Sequence, residues 1–593
     1  MKNVSLKKTI KLIDNSFIYI EDIYSQCRRT PEFIWINDNI IKLTRIKKSV
    51  TAGLKKRREL PSEDGEYPRL LSLCKSIIGD GDVAITEDRI KSVFGDFQSS
   101  GNYLTVGELF SLRDMLAARC LIGIGDTCRD VSLSFSQENK MSATHIVDMQ
   151  NSASSAVGRL IKTLYKLDSI DFTSIFEAVS ITESEFLLDP AGVYVNCDAD
   201  TKNMYRRKLA AIAKRSRAGE YETAKRLRSI AERADGRQRH IGYYLMKYTE
   251  RGAGALYFAV TYGSALVCCL AILAAAYAAR NIVLFFAALF TFLPLRAFFA
   301  RIVSDILSHK TTPDIVPRLR IDRVPDNAKT MVVITILLFG GKHDELIFEK
   351  LRRYREVLGR ENVSFAVLAD LPDSDTKTAL GDEDILNAAI SRISEISRGR
   401  DDVYLFTRQR TYSKSEGKFI GKERKRGEQE ELIAYLRGEE NTLTVHGGRN
   451  IKPGEYRYII ALDEDTEITR SDIERMIGTA IHPLNEPVIS SRRGYPVVTD
   501  GYGVIQPMMT ASLKNSYKWN KYLKYMYACE GREAYAFAQF SLYAALTGVG
   551  VFCGKGLIDI NAYAVTVSGA FPREQILSHD IAEGTRLRCG CLS

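Results

Sequence analysis

The pattern of hydrophobic and polar positions is helical over the first part of the chain of 593 residues. In residues 1–240 apolar side chains recur at helical spacing, as at Leu160 and Leu164. Residues 205–233 are charged and amphipathic, with a break near Gly219 that divides them into two helices. The spacing therefore predicts a mostly α-helical N-terminal region, and no catalytic constellation is visible in it.

The pattern then becomes uniformly apolar. Residues 252–279 form a run of 28 positions without a charge, Arg280 interrupts it, and a second apolar run covers 282–295. About 20 apolar helical residues span a bilayer core, and Arg296 can extend the second run by reaching toward the membrane surface. This predicts a transmembrane helical hairpin over residues 252–300. The alternative is one long buried helix of a soluble domain.

The distribution of Lys and Arg predicts how this hairpin is oriented. Basic residues are dense on both outer flanks of the two apolar runs and sparse between them. By the positive-inside rule both ends of the hairpin then face the cytoplasm. The part of the chain that follows residue 300 is accordingly predicted to be cytosolic.

The net charge indicates what kind of partner the protein binds. The formal net charge of +10 suits nucleic acid or an anionic membrane surface, and no zinc pair or RNA-binding signature accompanies it. Membrane lipid is therefore the expected partner and nucleic acid is not.

The 11 cysteines include no C-x-x-C pair, which is typical of reduced thiols in the cytosol. No secretory signal is visible at the start of the sequence.

From about residue 331 the period changes again. Short apolar runs at 331–338, 363–369, 403–406 and 458–462 alternate with amphipathic helical segments. Such alternation predicts an α/β domain over residues 325–593, with a parallel or mixed sheet and helices on both faces.

The last of these apolar runs ends in two carboxylates, Asp463 and Asp465. Side chains at i and i+2 of a strand end project to the same side, so the two can converge on one cation. Mg²⁺ or Mn²⁺ held by one or two carboxylates and substrate phosphates is common at phosphate-handling sites, and α/β sheets bind ligands at this edge. The pattern predicts a metal–diphosphate site.

Two other interpretations compete for these carboxylates. Asp463 could simply begin a turn, with Thr466 or Thr469 capping the next helix. A calcium loop of the EF-hand type would need glycine where the chain has Ile468, and a helix where it has a strand. The calcium loop is rejected, and the turn remains open.

Two further carboxylates stand at candidate positions. Asp370 closes a strand as Asp463 does, which would place it by a nucleotide base or ribose, unless it is an ordinary turn residue. Ser578, His579 and Asp580 are sequence neighbours and so do not form a hydrolase triad, which is assembled from separated segments. Asp580 could instead act as a general base toward a sugar hydroxyl.

Three basic residues are candidates for binding phosphate. Lys425 and Arg426 precede a helix predicted at 428–436, where cations are misplaced unless an anion lies there. A solvated charge run is the ordinary explanation. Lys555 lies between two glycines, before a segment at 557–567 that is predicted to be helical, and could reach a phosphate.

The ordered set of motifs from about residue 150 onward resembles the glycosyltransferase domain of the bacterial cyclic β-1,2-glucan synthases. The motifs that carry the resemblance are 189–194 (DPAGVY) with Tyr205-Arg206-Arg207, 421–427 (GKERKRG), 462–466 (LDEDT), 482–485 (HPLN), 501–507 (GYGVIQP), 554–556 (GKG) and 577–580 (LSHD) with Glu583-Gly584. None is diagnostic alone, but their order is specific.

The resemblance implies a GT-A-like, inverting, multi-pass glycosyltransferase of the bacterial inner membrane. It would use UDP-glucose and Mg²⁺ or Mn²⁺ to extend a β-1,2-glucan acceptor at the cytoplasmic face. It further implies particular roles for the candidate residues. These are uridine contact for Asp370, metal and diphosphate binding for Asp463 and Asp465, general base for Asp580, and charge neutralisation for Lys425, Arg426 and Lys555.

The chain also departs from the family pattern. Members continue with a Q-x-x-R-W motif, further membrane helices and a phosphorylase-like domain, and no Q-x-x-R-W occurs in this sequence. The chain is therefore expected to be a truncated or partial synthase, completed by a missing C-terminal half or by a separate polypeptide. The alternatives are a processive glucan synthase of another linkage and an inactive or regulatory membrane protein.

Overall fold

The computed structural model divides the chain into two compact units. The first unit comprises Met1–Gly192 and Tyr205–Leu245, and the second comprises Val193–Met204 and Met246–Ser593. The residues that the structure describes are 2–26, 34–57, 59–79, 85–135, 143–247, 253–308, 314–359, 361–399, 401–509, 520–521, 550–576 and 579–592.

The N-terminal part of the chain is mostly helical, as its periodicity predicts. A short antiparallel pair of strands, β1 (Lys2–Ser5) and β2 (Glu59–Ser62), accompanies the helices. The helices are α1 (Lys7–Gln26), α2 (Ile34–Arg57), α3 (Arg69–Ile78), α4 (Glu87–Ser99), α5 (Val106–Phe135), α6 (Ala143–Lys166), α7 (Phe172–Val179), α8 (Ile181–Leu187), α9 (Ala199–Ser216), α10 (Glu220–Glu232) and α11 (Ile241–Lys247). The predicted break near Gly219 is confirmed, because Gly219 is the N-cap of α10.

The motif 189–194 contributes to a buried hydrogen-bond network of this first unit. The Asp189 carboxylate accepts from the backbone N–H of Ile241 at 2.8 Å, and its other oxygen lies 2.8 Å from Nδ1 of His240. The second ring nitrogen of His240 lies 3.2 Å from the hydroxyl of Tyr205. These polar groups are buried and satisfy one another, so Asp189 has a structural role in this unit.

Two helices of the second unit, α12 (Ala253–Ala278) and α13 (Ile282–Ser308), correspond to the predicted hairpin. Within them Tyr257–Ala278 and Ile282–Ala300 are long and apolar enough to cross a membrane, by length and composition. Most of their apolar side chains are exposed, which suits a surface that faces lipid. Asn281 immediately precedes the second helix and caps it, because its side chain accepts from the N–H of Val283 at 2.9 Å.

The second unit is built on an eight-stranded mixed sheet. Its strands are β3 (Thr330–Leu337), β4 (Val363–Asp370), β5 (Val403–Thr407), β8 (Thr444–His446), β9 (Tyr458–Asp463), β12 (Val504–Gln506), β13 (Gly556–Asp559) and β14 (Cys589–Cys591). They lie in the order β14-β12-β13-β9-β3-β4-β5-β8. The central strands β9, β3, β4 and β5 are parallel, while β8 and β13 run antiparallel to their neighbours. Two separate antiparallel pairs are β6 (Thr411–Ser413) with β7 (Lys418–Ile420), and β10 (Val488–Arg492) with β11 (Tyr495–Asp500).

Helices cover both faces of this sheet. Along β3, Val332 and Ile334 enter one apolar core and Met331 and Val333 enter the other, as the two-residue period of a strand requires. The first core contains residues of α14 (Lys342–Leu358), α15 (Asp382–Ile396) and α17 (Arg470–Ala480). The second contains residues of α16 (Arg424–Arg437), α18 (Ile560–Thr566) and α19 (Asp580–Leu587). The predicted α/β class with a mixed sheet is confirmed, and its GT-A character stays a prediction.

One predicted helix is wrong over its first residues. Residues 557–567 were expected to be helical throughout, but 557–559 belong to β13, which pairs with β9 so that Gly556 lies opposite Ala461. The helix begins only at Ile560, where the Asp559 side chain caps it by accepting from the N–H of Ala562 at 2.9 Å. Long-range strand pairing outweighs local helical preference here.

A pair of chain segments that we call the clasp lies within the second unit and consists of residues 193–204 and 314–320. The N–H of Asp198 donates to the carbonyl of Arg318 at 3.2 Å, and the N–H of Arg320 donates to the carbonyl of Asn196 at 2.8 Å. The buried guanidinium of Arg318 forms ion pairs with Asp198 and Asp200. The clasp thus joins residues that precede α12 to residues that follow α13.

Candidate functional site

The carboxylate of Asp463, at the carboxyl end of β9, is held between two lysines. Lys425 in the first turn of α16 forms an ion pair with Oδ1, and Nζ of Lys555 lies 3.0 Å from Oδ2. Partial burial opposes ionisation of Asp463, but the hydrogen bonds and charges of the two lysines outweigh it and lower the pKa of the carboxyl. Three predicted site residues are therefore brought together at one edge of the sheet.

Lys555 reaches Asp463 because of strand pairing. Gly556 lies opposite Ala461 on β9, so the residue before it stands beside the strand end that carries Asp463. A Cβ on Gly556 would lie 2.3 Å from the carbonyl oxygen of Ile505, so only glycine allows this close approach. Burial alone would lower the pKa of Lys555, but the carboxylates of Asp463 and Asp465 together have the larger effect, so the pKa is raised.

Asp465 is exposed, and the two carboxylates offer the type of oxygen donor that suits a divalent cation. The negative charges of both carboxylates raise the pKa of Lys555, so both lie near its ammonium group. Carboxylate oxygens are the donors that Mg²⁺ and Mn²⁺ prefer. The ordinary turn is present too, since the N–H of Thr466 donates to the carbonyl of Asp463 at 3.1 Å and Thr469 caps α17. Turn and cation site are compatible.

The turn that follows Asp463 is anchored by helix α14. Nζ of the buried Lys350 donates to the carbonyl oxygens of Glu464 at 2.8 Å and Thr466 at 2.7 Å. One turn further along the helix, the hydroxyl of Tyr354 donates to the carbonyl of Thr466 at 3.1 Å and accepts from the N–H of Ile468 at 3.2 Å. Sequence reasoning did not single out Lys350, although it falls on the apolar stripe of its helix.

Asp370 lies in a buried ion pair with a residue that sequence reasoning also missed. Nε and Nη2 of Arg408 donate to the two carboxylate oxygens of Asp370, each at 2.7 Å, and Nη1 donates to the carbonyl of Lys422 at 2.9 Å. Both side chains are almost fully buried. Burial and the neighbouring charge of Asp370 raise the pKa of Glu428 well above its usual range.

Arg426 points away from Asp463, unlike its neighbour Lys425. Its side chain is only 6% exposed and forms an ion pair with Glu423. Arg424 in the same turn pairs with Asp373 at 3.0 Å. The cations at the start of α16 are thus balanced by carboxylates, which removes the electrostatic conflict predicted for a helix N-terminus.

Asp580 is the first residue of helix α19 and lies close to Lys425, one of the two lysines that hold Asp463. Burial raises the pKa of its carboxyl, and the charges of His579 and Lys425 oppose that shift. Its carboxylate packs against the backbone of Gly554, whose carbonyl accepts a hydrogen bond from Lys425 at 3.3 Å. Lys425 therefore connects Asp580 electrostatically to Asp463. Ser578 lies outside the described residues.

The motif 482–485 serves the fold of the second unit. The side-chain amide of Asn485 donates to the carbonyls of Pro317 at 2.6 Å and Thr479 at 2.7 Å, and the ring of His482 accepts from the N–H of Leu484 at 3.2 Å. Both side chains are buried. They fix a loop, and we assign them no part in the site.

The described fold and site define an α/β protein that gathers carboxylates and ammonium groups at the carboxyl ends of parallel strands, where proteins of this class bind ligands. No protein-family model matches the chain. Over 486 aligned residues it is 27% identical to the cyclic β-(1,2)-glucan synthase NdvB of Rhizobium meliloti (strain 1021), with 75% of this chain and 17% of that protein covered. The chain is a distant relative of the cyclic β-(1,2)-glucan synthases, as its motifs predict, and it spans about a sixth of the length of this relative.

Proposed function

We propose that the chain is the glycosyltransferase portion of a cyclic β-1,2-glucan synthase. It would transfer glucose from UDP-glucose to a growing β-1,2-glucan with inversion, on a GT-A-like domain at the cytoplasmic face of a bacterial inner membrane. Similarity to a protein of that name over 75% of the chain supports the class. The observation that carries the proposal is the Asp463 carboxylate between Lys425 and Lys555, with Asp580 beside them.

Lys425 and Lys555 are suited to receive the diphosphate of the donor. Both ammonium groups lie at the end of β9, and the two lysine side chains are less than a third exposed, so water screens their charges only partly. Asp463 and Asp465 would hold Mg²⁺ or Mn²⁺, which supplies neutralisation of the charge on the departing diphosphate. Lys425 and Lys555, which now pair with Asp463, would be available to the phosphate oxygens of the donor if Asp463 bound a cation instead.

Asp580 is suited to be the base. An inverting transfer needs one base, which takes the proton of the acceptor hydroxyl while its oxygen bonds to the anomeric carbon and the bond to UDP breaks. The pKa of Asp580 is raised toward neutral pH, and a general base is more effective when its pKa lies near the pH of the reaction. Its partial exposure leaves room for an acceptor.

Asp370 and Arg426 take part less directly in this proposal. A contact between Asp370 and the uridine requires the nucleotide to replace or share Arg408, which now occupies both carboxylate oxygens. Arg426 would influence the donor through Glu423 and the start of α16 rather than by touching phosphate.

The proposal is tested by UDP release from UDP-glucose in membranes that contain the full chain, with Mn²⁺ or Mg²⁺ added. Asp465→Asn should abolish metal-dependent release, and Asp580→Asn should stop transfer while UDP still binds. Glu464→Gln is the matched control, since this exposed carboxylate lies between the two predicted metal ligands. Unchanged release in Asp465→Asn contradicts the site assignment.

A further inference from the structure

Three side chains with metal-binding atoms meet at the start of helix α19. His579, Asp580 and Glu583 each offer one such atom, and these atoms lie within 4.8 Å of one another. Nδ1 of His579 is 3.0 Å from Oε1 of Glu583 and 3.5 Å from Oδ1 of Asp580. Donor atoms around a tetrahedral zinc ion with bonds of 2.0–2.1 Å are about 3.3 Å apart, so the spacing is already close to that of a zinc site.

The helix geometry explains why these side chains converge. The N–H of Glu583 donates to the carbonyl of His579 at 2.9 Å, which closes the first helical turn. Residues at i and i+4 lie on one face of a helix, so the imidazole and the Glu583 carboxylate share a side. Asp580 follows His579 directly and completes the set.

Two buried atoms of this cluster have no hydrogen-bond partner among the described residues. Glu583 is fully buried, and its Oε2 is unsatisfied, while its Oε1 accepts from the hydroxyl of Tyr563 at 2.9 Å. Nδ1 of His579 is also unsatisfied, since it approaches Glu583 without an aligned hydrogen bond. A buried carboxylate oxygen without a donor is unfavourable, and a bound cation would satisfy both atoms at once.

We infer that His579, Asp580 and Glu583 form a binding site for a zinc-like divalent cation. One imidazole nitrogen with two carboxylates is a donor set that zinc accepts, whereas the all-oxygen pair Asp463 and Asp465 suits Mg²⁺ or Mn²⁺. Three protein ligands leave a fourth position open, and the 30% exposure of the Asp580 side chain gives the ion an entry path. The hydrogen bond from the Tyr563 hydroxyl to Oε1 fixes the orientation of the Glu583 carboxylate, as partners of metal-binding side chains commonly do.

This site has a consequence for the reaction, which rests on the proposed function. A carboxylate that coordinates zinc no longer takes a proton from an acceptor hydroxyl. Zinc would therefore inhibit transfer by withdrawing Asp580, while the Asp463 and Asp465 site remains able to bind Mg²⁺ or Mn²⁺. Binding of the metal itself requires no glycosyl transfer, so it is tested separately.

The test uses the purified full chain and Co²⁺ as the probe, because tetrahedral Co²⁺ has intense visible absorption and is displaced by Zn²⁺. We expect one Co²⁺ bound with tetrahedral bands. His579→Asn and Glu583→Gln should weaken binding by more than about 100-fold, and Tyr563→Phe by about 10–100-fold. His579→Cys should retain the bands because thiolate is also a zinc ligand. The double variant Asp463→Asn, Asp465→Asn should also retain the tetrahedral Co²⁺ bands, because these residues belong to a different site.

Tetrahedral bands unchanged in a folded His579→Asn, or bands lost only in the Asp463→Asn, Asp465→Asn variant, would overturn the site. Circular dichroism verifies the fold of each variant, and His579→Asn decides the matter if Glu583→Gln does not fold. Absent UDP release together with normal Co²⁺ bands would contradict the proposed function and leave the zinc site standing.

Discussion

The backbone of Gly554 lies against the carboxylate of Asp580. A Cβ added at Gly554 would lie 2.6 Å from Oδ1, and the φ of +75° at this position already favours glycine. The residue that precedes Lys555 is therefore in contact with the candidate base. This contact couples the position of the lysine to that of the carboxylate.

Gly554→Ala should displace Asp580 and reduce transfer strongly. Gly569→Ala is the matched control, since Gly569 has a φ of +66° but open space around its Cβ position. Both variants should lose about 1–2 kcal/mol of stability from left-handed backbone strain. Only Gly554→Ala should lose UDP release; equal activity losses in the two variants would show that strain alone is responsible.

Lys350→Met should loosen the turn that carries Asp463 and Asp465, because it removes the donor that binds the carbonyls of Glu464 and Thr466. We expect the apparent affinity for Mn²⁺ to fall by about 10–100-fold, as when an outer-shell group of a metal site is lost. Titration of UDP release with Mn²⁺ measures this. Arg353→Met, which removes an exposed ion pair on the same helix, should leave the titration unchanged.

Asp370→Asn should destabilise the fold. Removing one charge of the buried pair with Arg408 leaves the other uncompensated, at a cost of about 3–5 kcal/mol. The control Asp373→Asn breaks the more exposed pair with Arg424 and should cost less than about 1 kcal/mol. Denaturant unfolding of the two variants gives the comparison. Full stability of Asp370→Asn combined with weakened UDP binding would instead support direct uridine contact.

The acid limb of the pH profile should report the ionisation of Asp580. This carboxyl accepts a proton only when ionised, so transfer should fall as the pH drops through its raised pKa. Lys425 lowers that pKa, so Lys425→Met should let it rise and move the limb to higher pH. Lys555→Met is the matched control, because Lys555 likewise pairs with Asp463. A limb that stays in place in Lys425→Met would exclude Asp580 as the titrating group.

Strand ends were the part of the site that the sequence could predict. An apolar run that stops at a carboxylate locates a buried strand and its carboxyl end, and parallel pairing then places Asp370 and Asp463 at one edge of the sheet. The strand predicted at 331–338 is observed at Thr330–Leu337. Burial of apolar side chains determines the structure of such long apolar segments, so the local sequence pattern was sufficient to predict these strands.

Partners from distant segments could not be predicted in this way. Arg408 follows β5 and meets Asp370 only because neighbouring parallel strands have a particular register, with Ala369 opposite Thr407. Lys350 had a visible signal, because it interrupts the stripe of Ile347 and Leu351 that faces the core. A lysine at such a position is buried only when hydrogen-bond acceptors lie within its reach, and those acceptors are in the distant turn that follows β9.

The clasp also constrains the order in which the chain is assembled. Arg318 hydrogen-bonds to Thr201, 117 positions earlier in the chain, so the clasp closes only after both hairpin helices have been synthesised. A transmembrane hairpin of α12 and α13, as the sequence predicts, would return the chain to the side from which it entered, so that the two segments of the clasp can meet. In that arrangement the clasp would close after the hairpin has inserted and would hold its two ends together.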